Sequence, residues 1–419
     1  MVKTSTLKVG LLTAAAMMLG ASAHAGEINW WVSEPGRVKA QQLAAEFEKQ
    51  NPGITIKLQA NPYGGLEGKV MIAVKSGLPP DLIEVQNSWI PSYQATGALE
   101  DVGAVIDQGT VPRKDFIPAT LDACSVDGKI YGLPFQAEAL AMLYRKDLFR
   151  EAGLDPEKPP QTWDELIEVS KKLTYTSKTG QRRYGYGIAG GGPEGQGNTL
   201  YRSLPYVWMN GGDILSADMK RATLSSPEAV AGVKFYTDMY TSLKVAPPST
   251  LENGGLELRR LFMAGTIAMY QGTPTELERF AQDAPNLDYG IGIVPHPKGK
   301  QTSALLGGWG FILPKAGKNK AEAVKLLQFL AKPENIALYT RTFPTTTTAM
   351  SLPRFADPKL DAFKVMMTHA RPQPAIGTWL EISSAYYKSI QEVLIGGASP
   401  QAAMAAADKA IDAVLKKSN

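Results

Sequence analysis

The chain has 419 residues, too many for one ordinary core and suited to two lobes. It carries 44 Lys and Arg against 40 Asp and Glu, a net charge of +4, and so lacks the polyelectrolyte surface that nucleic acid requires. Cys124 is the only cysteine, which excludes an intrachain disulfide and leaves a small buried side chain as its ordinary role. Lys3 and Lys8 precede an uncharged apolar run, Val9 to Gly20, and Ala23-His24-Ala25 follows it. Together these predict a secretory signal over residues 1–25, cleaved after Ala25. The run is about half of the roughly 20 residues that span a bilayer, and no later run is long enough. No cysteine stands at the cleavage point to carry a lipid anchor.

Glu27 to Val32 predicts a strand, Val38 to Gln50 a helix with Leu43, Ala44 and Phe47 on one face, and Asn51-Pro52-Gly53 its end. Ile54 to Leu58 alternates as a second strand. Val70 to Lys75 reads as helix and Asp81 to Val85 as a third strand. This β-α-β-α-β order predicts an α/β fold with a doubly wound, mostly parallel sheet, whose ligands bind beyond the carboxyl ends of the strands. Ala139 to Tyr144 is a further strand and Lys146 to Gly153 a short helix. Thr162 and Glu165 form a capping box for a helix running to about Leu173. A glycine-rich loop, Gly190 to Gly197, precedes a helix ending near Met209; it lacks the spacing of a nucleotide cradle and suits a cleft rim. Ala321 to Leu330 and Ser399 to Leu415 are the last clear helices. No repeat and no low-complexity tether appears, so the lobes are joined by crossing strands.

Several stretches carry a likeness: Ile130 to Phe135 (IYGLPF), Leu143 to Leu166, Phe262 to Met269 (FMAGTIAM), Gly307 to Asn335 and Ile395 to Met404. In order and spread over nearly the whole chain, they resemble the family 1 extracellular solute-binding proteins, the maltose- and glycerol-phosphate-type binders of ABC importers. The resemblance implies a type II periplasmic binding fold, two α/β lobes around a cleft with three crossings, near 136–140, 293–298 and 352–358. Lobe one is then 26–136 with 298–354, and lobe two 137–297 with 355–419. It further implies a monomer in the periplasm that needs no cofactor or metal, and permease subunits of the inner membrane as partners.

A sugar offers hydroxyls at its edge and C–H groups on its faces, so its site wants flat aromatics and polar side chains together. After the first strand stand Ser33, Glu34 and Arg37, and after the third Gln86, Asn87, Ser88 and Trp89. Trp30 and Trp31 point to opposite faces of their strand; Trp31 is the candidate for the cleft and Trp30 for the core. Gln136 and Glu138 lie at the first crossing, and Glu138 resembles the family's cleft-base acid. Asn198, Tyr63 and Tyr270 add polar and aromatic candidates. Gly307 and Gly308, which let backbone approach a ligand or form a tight turn, lead into Trp309. Arg371 and Trp379 stand in a stretch that resembles the family's lobe-two cleft wall. Trp208 ends a helix and reads equally as core, and Trp163 belongs to the capping box.

A periplasmic carbohydrate-active enzyme is the competing class. Beyond His24 of the signal, the histidines are His296 and His369, too far apart for a metal motif, and no G-x-S-x-G elbow occurs. Among ligands, a mono- to trisaccharide or polyol suits the tryptophans. A glycerol-phosphate, phosphodiester or sugar phosphate would need a helix N-terminus or cationic groups at one end, and Arg37, Arg341 and Arg371 could supply the cations.

Overall fold

A computed structural model describes residues 26–109, 111–192 and 195–418. The expected signal, residues 1–25, lies outside the described residues, as do Pro193 and Glu194 of the glycine-rich loop. Strand β1 (Gly26–Ser33) buries Ile28, Trp30 and Val32 on one face. Helix α1 (Arg37–Gln50) sets Ala40, Leu43, Ala44 and Phe47 against the sheet at the spacing of one helical face. β2 (Ile54–Asn61) then pairs parallel with β1, from Gly26 with Ile54 to Ser33 with Asn61. Helix α2 (Leu66–Lys75) returns the chain to β3 (Leu82–Gln86), parallel to β1 on its other side. A short 3-10 turn, Asn87–Trp89, leads into α3 (Ile90–Gln94).

β4 (Leu133–Glu138) ends the first visit to this sheet. Ala139 and Leu140 carry the chain over to β5 (Ala141–Arg145), which opens the second sheet. Helix α4 (Trp163–Lys172) has both bonds of the predicted capping box between Thr162 and Glu165. β6 (Tyr184–Gly187), α5 (Gly195–Met209), β7 (Ile267–Gly272) and β8 (Tyr289–Gly292) complete the second lobe's first passage. β9 (Gly307–Ile312) re-enters the first sheet, and α6 (Lys320–Leu330) and α7 (Pro333–Tyr339) cover it. Helices α8 (Trp379–Leu394) and α9 (Pro400–Ser418) pack on each other and on the second lobe.

The strand order is β2-β1-β3-β9-β4 in the first sheet and β8-β5-β7-β6 in the second. In each sheet one strand runs against the rest: β9 is antiparallel to β3 and β4, and β5 is antiparallel to β7 and β8. These are the strands that arrive from the other lobe. A strand leaving a lobe ends at the boundary and one entering it begins there, so the two must oppose. The sheets therefore keep one dominant direction, as expected, while half of the first sheet's ladders are antiparallel. Carboxyl ends of β3, β4 and β7 all reach the boundary between the lobes, where Gln86, Glu138 and Thr273 border one cleft.

The passage back to lobe one comes later than 293–298. Lys300 Nζ donates to Asn210 O at 2.6 Å, Thr302 Oγ1 to Val294 O at 2.7 Å, and Leu305 pairs with Arg371, so the chain stays with lobe two until about Leu306. The last passage lies between Arg354, whose Nη2 donates to Thr340 O, and Lys359, which sits over the Tyr289 ring. Lobe one's core is aromatic: Phe311 stacks on Phe135 at 4.5 Å and meets Trp30 edge-on at 5.9 Å. Beside it the buried carboxylate of Glu84 accepts from Ser33 N, Ser33 Oγ and Tyr339 Oη at 2.7–2.9 Å, which ties β1, β3 and α7 together.

Candidate functional site

A cleft of about 590 Å³ lies at the lobe boundary, where the strand ends converge. Its lobe-one wall is aromatic. Tyr63, Trp89 and Trp309 form a triangle with ring centroids 5.8–6.1 Å apart, and the two indoles meet at 71°. Trp309 reaches this wall because β9 pairs with both β3 and β4 there, opposite Gln86 and Gln136, and a bulge follows at Gly310. Gln86 Nε2 donates to Tyr63 Oη at 2.9 Å and fixes the third ring. The wall needs glycine at 308, since a Cβ there would lie 2.4 Å from Gln136 O.

The lobe-two wall is built from two helix N-termini. Gly195, Gln196, Gly197 and Asn198 open α5, and Trp379 opens α8. Gln196 Nε2 joins them by donating to Ser383 Oγ at 2.8 Å and Leu380 O at 3.3 Å. Asn198, Tyr201 and Arg202 share one face of α5 and all border the cleft. Tyr201 Oη donates to Glu138 O at the first crossing, 3.1 Å away. Arg202 is 3 % exposed; its Nε donates to Gln271 O, and its Nη1 to the backbone and side-chain oxygens of Asn198. The far side of the cleft is bridged by Ser92 Oγ, which donates to Gly377 O at 3.0 Å.

Glu138 stands on the cleft floor between the lobes. Burial pushes its carboxyl above the ordinary value, and the charges of Arg341 and Arg202 hold it back in part. Glu67, at the cleft's lobe-one rim, is also raised, by burial first and by Glu381 of lobe two second.

Eleven of the sequence candidates meet around this cleft: Tyr63, Gln86, Asn87, Ser88, Trp89, Glu138, Asn198, Gly307, Gly308, Trp309 and Trp379. The other seven lie off it. Trp31 packs on the outer part of the sheet beneath Lys69, whose Nζ is 4.6 Å from the ring. Ser33 is spent on Glu84, and Glu34 and Arg37 pair with each other at 3.0 Å on the surface. Gln136 is buried, its Oε1 accepting from Arg341 N. Tyr270 is core, 5.0 Å from the Phe262 ring. Arg371 binds Asp213 at 2.7 Å and covers Trp208, which itself donates to Asp213 Oδ1. Tyr201, Arg202, Gln196, Thr273 and Ser383 line the cleft without having been singled out. The spacing of 198, 201 and 202 on one helix held the signal for the first two.

The sequence profile of the bacterial extracellular solute-binding proteins matches residues 33–337. The chain belongs to that family. A protein of Brucella abortus (strain 2308) named as a binding protein is 30 % identical over 426 residues, covering 98 % of both chains. The sn-glycerol-3-phosphate-binding periplasmic protein UgpB of Salmonella typhimurium is 26 % identical and covers 92 % of this chain and 91 % of its own. Among solved structures, an ABC transporter solute-binding protein of Thermotoga lettingae bound to α-D-tagatose superposes with a TM-score of 0.81 at 25 % identity, over 93 % of this chain and all of its own. A solute-binding protein holds its ligand unchanged, and the chain, as a member of that family, is not an enzyme.

Proposed function

We propose that the chain is the periplasmic substrate-binding component of an ABC importer, which captures a mono- to trisaccharide or polyol by hinge closure and delivers it to the permease. The observation that carries this reading is the triangle of Tyr63, Trp89 and Trp309, facing Trp379 across the cleft. Such rings cover the C–H faces of a sugar while amides and acids take its hydroxyls. The charge of the lining agrees with a neutral ligand. Among the described lining residues, Arg202 is the only Lys or Arg, and two acids, Glu67 and Glu138, accompany it. Export to the periplasm follows from the signal pattern of residues 1–25.

A phosphate-bearing polyol is the second reading. Helix N-termini favour anions, and α5 and α8 both begin at the cleft; the UgpB relatives point the same way. A thermal-shift screen over maltose, maltotriose, D-tagatose, ribitol and sn-glycerol 3-phosphate separates the two, since a ligand bound by the native state raises the melting point. A rise with one of the neutral compounds supports the first reading. A rise with glycerol 3-phosphate alone transfers the site to the second.

A further inference from the structure

Away from the three passages the lobes touch again, at the mouth of the cleft. The stretch leading into α8 lies against α3. Ser92 Oγ donates to Gly377 O at 3.0 Å, and a Cβ on Gly377 would lie 3.0 Å from the Cβ of Ala95 and 3.8 Å from Pro91 O. Glycine at 377 is what lets the lobes come this close. The seam forms without a ligand, from one neutral hydrogen bond and one contact of small residues. A bond of that kind is modest in net effect, so it tilts the balance between open and closed forms without fixing it.

The same seam gathers charge of one sign. Tyr93, beside Ser92, donates its Oη to Glu67 O at 3.1 Å and so ties the first turn of α2 to α3. Glu381 stands in the first turn of α8, four residues after Gly377. Its neighbours Trp379 and Leu380 border the cleft together with Glu67. Among the described residues, neither carboxylate forms an ion pair or accepts a hydrogen bond. Ser384 and Ala385 occupy the positions where a helix would place a cation for Glu381. Lys69 of α2 is turned to Asn61 and Trp31, and Arg202 on the opposite wall is bound to Gln271 and Asn198. The titratable groups facing Glu67 are therefore Glu381 from α8 and Tyr93 from α3, whose phenol burial and Glu67 keep neutral.

We propose that this seam is a pH-sensitive catch on hinge closure: Ser92 and Gly377 draw the lobes together at the cleft mouth, and Glu67 and Glu381, brought together by the same contact, part them while both are ionised. The proposal rests on the lobes moving as a hinge and on no particular ligand. Closing the seam takes Glu67 out of water and sets it beside a like charge, so the closed form holds the Glu67 proton more tightly than the open one. Burial first and Glu381 second raise that carboxyl above its ordinary 4.5. The extra stability of the closed form is thus complete below that pH and is lost as pH rises through the raised value. At neutral pH the cleft rests open to a ligand, and acid primes it to shut.

The test measures the distance between the lobes in the ligand-free full chain. Spin labels are placed on Leu78→Cys in lobe one and Ile395→Cys in lobe two, both exposed sites, while the native Cys124 is buried. Pulsed electron resonance then gives the ratio of closed to open molecules from about pH 7 to pH 4. The expected result is a ratio that rises as pH falls. In Glu381→Gln the ratio at pH 7 should exceed the parent's by about twofold, the size of an exposed charge pair, and the rise with acid should be smaller. Ser92→Ala should lower the ratio about fivefold at every pH, as loss of one hydrogen bond would, and Gly377→Ala, which crowds Ala95, should lower it as well. A Glu381→Gln variant with the parent's ratio and the parent's pH response overturns the role of the charges. Unchanged ratios in both Ser92→Ala and Gly377→Ala overturn the catch itself. No ligand enters the measurement, so failure of the sugar reading in the thermal-shift screen and failure of the catch are told apart.

Discussion

The aromatic residues of the lobe-one cleft wall are packed against one another as well as lining the cleft. Trp309 is 6 % exposed and Trp89 9 %, and both rest on Tyr63. Trp309→Ala should therefore weaken sugar binding about tenfold, a loss of about 1.4 kcal/mol, and also destabilise the ligand-free protein by roughly 3 kcal/mol, the low end for a buried aromatic. Trp208→Phe is the contrast. It breaks the bond to Asp213 and should cost about 1 kcal/mol of stability while leaving affinity unchanged, because Trp208 lies off the cleft. Calorimetry and urea unfolding of the two variants read both quantities. Glu138 gives a pH signature. Its folded value is raised above the ordinary 4.5, so its stabilising contribution is complete below that pH and is lost as pH rises through the folded value. Glu138→Gln should gain on the parent protein as pH goes from 4 to 7, measured as the difference in urea midpoints without ligand. A difference that stays flat would mean the carboxyl is hydrated like a free one.

At the scale of elements, Thr162 supplies an isolated test. Its hydroxyl accepts from Glu165 N, and the Glu165 carboxylate accepts from Thr162 N. Thr162→Ala should cost about 1 kcal/mol in urea unfolding, with sugar affinity untouched, since the cap lies in lobe two away from the cleft. This helix was plain in the sequence because a capping box opens an apolar period, and α1 because its apolar period runs into the stop Asn51-Pro52-Gly53. Strand β4 was less plain: it is buried from Leu133 to Ala137, so it lacks the alternating burial that marks β1 and β2. Helix α8 escaped because Pro372, Pro374 and Gly377 precede it and Thr378 makes no side-chain cap, so its start carries no local signal. Residues directly after strand ends, such as Gln86, Asn87 and Trp89, could be named from strand order alone. Arg371 could not be ruled out that way, because its partner Asp213 is distant in sequence and the ion pair exists only in the assembled lobe.

The whole molecule is two lobes joined by three short passages, with a contact between Ser92 and Gly377 on the cleft's open side. A ligand that touches Trp89 and Trp309 in one lobe and Trp379 in the other binds the closed form better, and that difference shifts the equilibrium. Small-angle scattering should show the radius of gyration falling on addition of a sugar that raises the melting point. If calorimetry shows binding and scattering shows no change, closure is not the response. The passages also limit what can move: the motion expected is rotation of two intact sheets about Ala139-Leu140 and Leu306 rather than repacking within either.

The reversed strand in each sheet sets an order of events during synthesis. β9 is an inner strand of lobe one, yet it is made only after most of lobe two. Until Ile312 emerges, β4 has no partner at its place in the sheet and the first lobe has a gap beside β3. At roughly 5–20 residues per second, that gap persists for on the order of ten seconds or more after β5 is complete. Topology alone thus keeps the first lobe open until β9 has emerged, however far the residues before it have folded.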